Sequence, residues 1–523
     1  MKRSFRSLLV ILVVLTMTTV LVAQEKELEQ PQMAFDRAAH FEQMTSLQQR
    51  LSRASIDLAN APALQIDVTA MERESVRGGM ARERKMRVGV VKELSIPMEF
   101  AHERIAARQA FGATHARSDG GFDWAGVIRS NGASAARVHI TGLDLPEGTE
   151  LYVYTRDGMA FGPYTGRGPN NTGEFWTNTV AGSELVLQLH GGAEGVAQFT
   201  ISGYGYLTEE FAMGRNLKPV TQAGNVPCSF NASCVVDAAC VATNTAVGTA
   251  ANAVAHILFA SGGFLYICTG GLVADSVATT TVPYFITANH CISRASEAAS
   301  METFFFYRAT TCGGCPDPGA ANTTGATIVA TNKTSDYVLM RLSQNAPAGA
   351  AFLGWSSTAV ASSNNTPLFR LSHPKGAPQA YSTQVVDTSK GTCRSWPRGS
   401  WIYSRDTLGA TEGGSSGSPV VNAAGQLVGQ LSGACGFNVN DVCDTASNAT
   451  VDGAFAAYYN AVSSFLGPGS GGGGCTDADG DGVCASAGDC NDNNNKVYPG
   501  ANDTKGKQGN DGVDNDCDGT PDA

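Results

Sequence analysis

The chain has 523 residues, 16% of them charged and 43% hydrophobic, and a formal net charge of −11 at pH 7. One domain usually takes about 100–200 residues, so three or four modules are expected, and the acidic balance argues against nucleic acid as a partner. Fourteen cysteines, none before Cys228, fit disulfides formed after export rather than a cytosolic metal site.

At the start of the chain, Lys2, Arg3 and Arg6 precede a charge-free run from Ser7 to Val22, and Ala23 closes it before Gln24-Glu25-Lys26. This is the pattern of a secretory signal peptide over 1–23. The alternative, an uncleaved membrane anchor, asks for about 20 apolar residues, and the run is short for that. Secretion and a soluble extracellular product follow as expectations. The longest stretch without Asp, Glu, Lys or Arg, Ala238 to Ala274, is broken by Gly, Thr, Asn and His and reads as strands rather than a membrane helix.

Residues 24–110 are rich in Glu, Arg, Met, Ala and Gln, and Phe41, Met44, Leu47 and Leu51 recur at helical spacing, so this segment is expected to be helical. From 111 to 222 the pattern changes to short strands: Arg137–Ile140, Glu150–Tyr154, Glu184–Leu189 and Gln198–Ile201, separated by Gly, Pro, Asn and Asp. That spacing predicts a small β-sandwich. A second β-rich region, 223–466, holds ten of the cysteines and ends in a helix on whose one face Phe455, Tyr458, Tyr459, Val462 and Leu466 fall. Residues 467–474, Gly-Pro-Gly-Ser followed by four glycines, have almost no side chains to pack and read as a flexible tether.

The tail, 475–523, carries eleven Asp, three Lys and no Glu or Arg, together with Cys475, Cys484, Cys490 and Cys517. Asp477, Asp479 and Asp481 before Gly482, and Asp514, Asp516 and Asp518 before Gly519, repeat D-x-D-x-D-G, with a weaker copy from Asp489 to Asn493. Alternate oxygen ligands followed by glycine suit a hard cation that takes six to eight oxygens, which is calcium. An EF-hand is excluded, because the twelfth position counted from Asp477 is Gly488 rather than Glu. A module this small has little core without metal and disulfides.

Three motifs in the second β-rich region belong together. His290 follows the apolar run Tyr284-Phe285-Ile286-Thr287-Ala288, Asp336 precedes Tyr337-Val338-Leu339-Met340, and Ser416 lies in Gly414-Ser415-Ser416-Gly417-Ser418-Pro419. A serine hydroxyl becomes nucleophilic when an imidazole takes its proton, and the imidazole needs a carboxylate to fix its tautomer and balance its charge. In a small-residue turn, the amides of Gly414 and Ser416 can converge on one developing oxyanion. Each motif alone has an ordinary reading: a Gly/Ser loop, a core histidine, a strand-end aspartate. Their joint occurrence in the order His, Asp, Ser, which is the chymotrypsin order, favours a catalytic triad. Cys268 and Cys291 could pin the strand that delivers His290.

Residues 228–466 resemble the trypsin-like serine proteases, most closely the bacterial lysyl endopeptidases. The resemblance rests on Cys268-Thr-Gly-Gly-Leu-Val273, Thr287-Ala-Asn-His-Cys291, Thr334-Ser-Asp-Tyr-Val-Leu339, Thr411-Glu-Gly-Gly-Ser-Ser-Gly-Ser-Pro419 and Leu427-Val-Gly-Gln-Leu-Ser-Gly433. It implies a double β-barrel endopeptidase that cuts beside lysine, with its cleft between the barrels. It also implies His290 as general base, Asp336 as its orienter, Ser416 as nucleophile, Gly414 as oxyanion donor, and Ser432 and Gly433 on the strand that lines the substrate backbone. The implied disulfides are Cys228–Cys435, Cys234–Cys312 and Cys268–Cys291, with Cys240, Cys315, Cys393 and Cys443 extra to the pattern.

Several positions depart from that family. Ala410 stands where trypsin-type enzymes place an acid, and Thr450 where the lysyl endopeptidases do; Asp452 or Asp444 could substitute, or could be an ordinary cap or turn residue. No Ile-Val-Gly-Gly start precedes the domain. By the same resemblance, everything from Ala23 to about Asn225-Val226-Pro227 is a pro-region, against the alternative of a permanently attached sandwich. The tail resembles the Asp/Asn-rich calcium modules of thrombospondin type 3 and similar bacterial repeats.

The expected whole is a mainly β chain: a helical pro-segment and β-sandwich, a double-barrel protease and a loop-rich calcium-binding tail. Protein or peptide substrates, no cofactor for catalysis and a possible cell-surface contact through the tail complete the expectation. The competing reading from another class is a non-catalytic, calcium-dependent adhesion or binding protein on a protease scaffold.

Overall fold

The computed structural model describes residues 24–466 apart from 80–84, 102–110, 193, 209–230, 242–244, 278, 281, 317 and 394–395, together with five residues between 491 and 497. The expected signal peptide, the segment around Asn225-Val226-Pro227, the glycine tether and nearly all of the Asp-rich tail lie outside the described residues. What is described is mainly β, as expected.

The N-terminal part is a two-sheet sandwich. One sheet holds Leu64–Gln65, Ala113–Ala116, Phe122–Arg129, Glu150–Tyr154, Ala160–Tyr164 and Glu184–Gly191; the other holds Met86–Ala101, Ala135–Asp144, Phe175–Trp176, Val180–Ala181 and Val196–Leu207. Between them Phe100, Trp124 and Phe199 are buried, the Phe100 and Trp124 rings 5.1 Å apart. The outer face of the first sheet is covered by the helix Arg37–Ser52, whose Leu47 and Leu51 pack on Val127, Tyr154 and Val186. The four strands read from sequence in this region are all present.

The helical expectation for 24–110 needs correction. Among the described residues of this segment the helices are Arg37–Ser52 and Ala70–Gly79, and Met86–Ala101 is a 16-residue strand. The Glu- and Arg-rich composition of 24–110 as a whole hides this stretch, which itself holds Val88, Val90, Val91 and Ile96 with Gly89 and Pro97. Burial alternates along it, with Val88, Val90, Met98 and Phe100 inside and Glu93, Ser95 and Glu99 outside. A period of two buries an apolar row only against a sheet, and the ladder to Val196–Leu207 supplies one. The sandwich therefore draws a strand of its second sheet from before residue 111.

That strand does not stop at the sandwich. Its first residues pair with Phe264–Leu272, so one sheet runs from the sandwich into the second β-rich region. There, Val254–Ser261, Phe264–Leu272, Tyr284–Ala288, Glu302–Phe305, Ala326–Asn332 and Tyr337–Leu342 curl around Ile257, Phe285, Val338 and Met340. A second barrel is closed: Pro367–Ser372 pairs with Ala380–Val386, then Trp401–Leu408, Asn448–Ala454, Gln426–Gly436 and Pro419–Val421, which returns to Pro367–Ser372. The helix Phe455–Leu466 buries the five residues expected of it. Glu25–Lys26, just after the expected signal peptide, adds to Gly354–Ser356, and Phe35 stacks on Phe306 at 4.3 Å.

Four disulfides are described: Cys234–Cys443, Cys240–Cys312, Cys268–Cys291 and Cys393–Cys435. Cys268–Cys291 is the expected one. The implied Cys234–Cys312 and Cys228–Cys435 do not form, because Cys312 is taken by Cys240 and Cys435 by Cys393, with Cα atoms 4.6 and 5.8 Å apart. Such distances are within reach of a disulfide, and loop placement rather than order along the chain sets them.

Candidate active site

The strand Tyr284–Ala288 ends two residues before His290, and Tyr337–Leu342, its antiparallel neighbour, begins just after Asp336. Asp336 has a left-handed backbone, φ 54°, and is almost fully buried. Its two carboxylate oxygens divide the work: the backbone N–H of His290 donates to Oδ1 at 2.8 Å, and His290 Nδ1 to Oδ2 at 2.8 Å. Because a carboxylate only accepts, Nδ1 carries the proton and Nε2 is left as an acceptor. Nε2 is buried and has no hydrogen-bond partner among the described residues.

Ser416 is brought to the same strand ends by its neighbours. Its carbonyl accepts from the Thr269 N–H at 2.8 Å, and Gly417 lies so close to Tyr284–Ala288 that an added Cβ would stand 1.9 Å from Thr287 Oγ1 and 2.7 Å from the Ala288 nitrogen. Only glycine allows this approach, and at φ 79° only glycine adopts it readily. Ser416 itself is 7% exposed.

The loop before Ser416 is pinned from three sides. Thr269 Oγ1 donates to the Gly414 carbonyl at 2.9 Å, the His373 N–H donates to that same hydroxyl at 3.0 Å, and Ser415 Oγ donates to Ser372 Oγ at 3.1 Å. Gly414 has φ 97°, a Cβ there would meet the His373 carbonyl at 2.8 Å, and its own N–H makes no hydrogen bond among the described residues. With the carbonyl held by Thr269, that amide is available to an oxyanion. Ser432, on Gln426–Gly436, donates to Asp336 Oδ2. The register between this strand and Asn448–Ala454 shifts between Leu431 and Gly433.

The structure thus brings together His290, Asp336, Ser416, Gly414, Ser432 and Gly433. Asp477, Asp479, Asp481, Asp514, Asp516 and Asp518 lie outside the described residues. Cys268, His290 and Cys291 approach within 4.8 Å of one another, but both sulfurs belong to the disulfide and offer no thiolate to a metal.

Of the acids weighed from sequence, Asp452 is fully buried and paired with Arg370 at 2.7 Å, and Arg370 also donates to the Ser418 carbonyl. It is a structural tie. Asp444 accepts from the Ser447 N–H and Asn438 in a turn, and it also lines the small cavity beside Thr450. The acid that sequence reasoning missed is Asp406, on Trp401–Leu408, which lines a small cavity with Thr411, Ala434, Ala449 and Thr450. Thr450 Oγ1 lies 3.1 Å from each of its carboxylate oxygens. Burial pushes the Asp406 carboxyl up to about 6, against the opposing pull of Arg370 and Thr450. No local motif marks it; only the pairing of Ser404 with Thr450 places Asp406 beside this wall.

Residues 230–447 match the family model for the lysyl endopeptidase C-terminal domain. The chain is 31% identical over 315 residues to a lysyl endopeptidase of Pseudomonas aeruginosa, covering 56% of this chain and 63% of that protein, so it spans somewhat less than two thirds of that relative. It is 26% identical over 313 residues to a secreted RxLR effector protein 73 of Plasmopara viticola, covering 57% of this chain and 73% of that protein. Among solved structures, an HtrA-type protease AlgW with tripeptide matches 43% of this chain and 64% of its own, at 16% identity and a TM-score of 0.31. The Rv3671c protease of M. tuberculosis in its active form matches 46% of this chain and 93% of its own, at 15% identity and a TM-score of 0.30. Those two are distant likenesses, and the barrels stand on this chain's own strand pairings.

Proposed function

We propose that this chain is a secreted serine endopeptidase in which Ser416 is the nucleophile, His290 the general base and Asp336 its orienter. One observation carries the reading: His290 is held through Nδ1 by a buried carboxylate and its Nε2 is buried and uncommitted, while Gly417, next to Ser416, packs on the end of the strand that leads to His290. In the proposed reaction Nε2 takes the Ser416 Oγ proton as the oxygen attacks a peptide carbonyl, and the amides of Gly414 and Ser416 stabilise the oxyanion. His290 then returns the proton to the departing amine, leaving an acyl-enzyme that water hydrolyses by the same steps in reverse.

The first relative's name supports a basic side chain on the acyl side of the cut, and Asp406 offers the charge for it. Thr411 and Ala434, in the cavity wall, flank the nucleophile loop and the Ser432–Gly433 segment, so the pocket adjoins the site. On this proposal the segment from Ala23 to about Pro227 is a pro-region whose removal frees the protease. Asp477, Asp479, Asp481, Asp514, Asp516 and Asp518 are proposed to bind calcium through alternating oxygens, as a structural need of the tail and not of the chemistry.

A fluorophosphonate probe should label the protein at Ser416, and Ser416→Ala should lower turnover by about 10³-fold or more. Absence of Ser416-dependent labelling in matured protein would sink the reading. Calcium-dependent surface binding without hydrolysis would support the adhesion alternative instead.

A further inference from the structure

Strand Met86–Ala101 meets the catalytic body as a bound peptide would. It lies antiparallel to Phe264–Leu272, with Val90 opposite Phe264, Gly89 opposite Leu265, Arg87 opposite Tyr266 and Met86 opposite Ile267. The next body residue, Cys268, is bonded to Cys291, the neighbour of His290. The start of the strand therefore comes to the histidine side of the site. Met86 also flanks the nucleophile loop: a Cβ built on Gly413 would stand 3.6 Å from Met86 Sδ.

Lys85, one residue earlier, is held entirely by body groups. Its ammonium donates to Glu297 Oε1 at 3.1 Å, Ser261 Oγ at 3.2 Å and the Cys291 carbonyl at 3.3 Å, and lies 4.7 Å from the Tyr266 ring centroid and 5.2 Å from that of Phe259. Two aromatic faces, two neutral acceptors and one carboxylate make a complete seat for an alkylammonium. The Glu297 side chain is 4% exposed, and its second oxygen accepts from the Ser293 and Arg294 N–H groups. Burial pushes its carboxyl up, but Ser261, the Ser293 amide and Lys85 outweigh that and leave it lowered and ionised. Emptied of its guest, the seat would hold a buried charge short of its cation, which is costly.

In a serine-protease cycle the histidine protonates the departing amine, so the leaving peptide lies on the histidine side. We infer that the edge Phe264–Ile267 with the Glu297 seat is a binding site for the leaving-side segment of an extended peptide that carries a lysine, and that Lys85–Val90 is a tethered ligand occupying it. The inference rests on the protease reading for the direction of the cut. The recognition itself, strand addition plus one cation pocket, needs no chemistry.

Charge exchange in the full chain tests it. Lys85→Glu and Glu297→Lys should each loosen the tethered strand and raise cleavage of internally quenched peptides by about tenfold, while Lys85→Arg keeps the original rate and the double exchange K85E/E297K restores it. The opened K85E chain should prefer lysine over glutamate on the leaving side, and the opened E297K chain the reverse. A small activated ester, which has no leaving-side peptide, reads the triad separately. Ester turnover with unchanged peptide rates and no leaving-side preference overturns the inference and leaves the protease reading standing. If no chain turns over the ester, the protease reading fails, and hydrogen exchange at 86–90 decides the docking. Faster exchange in both single variants, with recovery in the double, supports the pocket; equal protection in all chains overturns it.

Discussion

Ser432 donates its hydroxyl to the Asp336 oxygen that also receives His290 Nδ1, so one carboxylate atom is shared between the strand expected to line substrate and the proposed base. A hydrogen bond to a charged group is worth about 1.5–3 kcal/mol. Ser432→Ala should therefore lower kcat by about tenfold or more through a less well-held imidazole, with a smaller change in KM. Steady-state kinetics on one peptide substrate check this, and an unchanged kcat would remove Ser432 from the positioning of His290.

Asp336→Asn should cost far more. The amide can donate to Nδ1 and so favours the wrong imidazole tautomer, for which a loss of about 10⁴-fold in kcat is expected. Active-site titration alongside kcat separates this from loss of folded protein.

Asp406 should govern the acyl-side pocket. Asp406→Asn is expected to lower kcat/KM for substrates with lysine before the cut by about 10²-fold, with little change for a substrate that is apolar there. The carboxyl, raised to about 6 by burial, must be ionised to receive an ammonium. Preference for lysine over an uncharged isostere should therefore fade as pH drops through about 6, and the fading should vanish in Asp406→Asn. The raised value also bears on stability: below the ordinary aspartate pKa both states hold the proton, and between there and about 6 only the folded state does. This group's contribution is then lost as pH rises through about 6.

His256 and His373 act in the opposite direction. Both are fully buried, with rings 5.5 Å apart; burial lowers His256 well below its usual value and lowers His373 to about 4. As pH falls from the ordinary histidine pKa of about 6.5 towards 4, the unfolded chain takes up protons that the folded chain refuses, and stability drops by an amount on the order of 3 kcal/mol for His373. His373 N–H holds the Thr269 hydroxyl that fixes Gly414, so acid should loosen the oxyanion loop as the protein destabilises. Thermal melts across that pH range, repeated with His373→Gln, measure the contribution.

Glu302 ties sandwich to body. It is completely buried on the body strand Glu302–Phe305, yet it accepts from Asn178 Nδ2 at 3.0 Å and from Thr179 Oγ1 at 2.6 Å and faces Arg137 at 3.9 Å, all from the sandwich. Glu302→Ala would leave Arg137 buried without its carboxylate and should destabilise the full chain by about 3–5 kcal/mol. Denaturant unfolding checks this, and a loss below about 1 kcal/mol would mean that the sandwich is held elsewhere.

The sequence alone determined what is local or periodic. Helical spacing in 452–466 named the five buried residues of the last helix, and short alternating runs named four sandwich strands, because a side chain's period follows directly from backbone geometry. Motif chemistry likewise named His290, Asp336 and Ser416, since the reaction dictates those residue types in a tight glycine-rich setting. Tertiary structure alone decided the rest. Met86–Ala101 sits in a segment whose overall composition favours a helix, and although its own Val88, Val90, Val91 and Ile96 suit a strand, its partner Val196–Leu207 lies about a hundred residues away. Cys312 found Cys240, and Asp406 reached Thr450, through distances that no spacing along the chain encodes. Which acid lines the cavity beside Thr450, which cysteines meet and where Lys85 docks depend on contacts between residues far apart in sequence, and folding has to bring those together before any local pattern can show them.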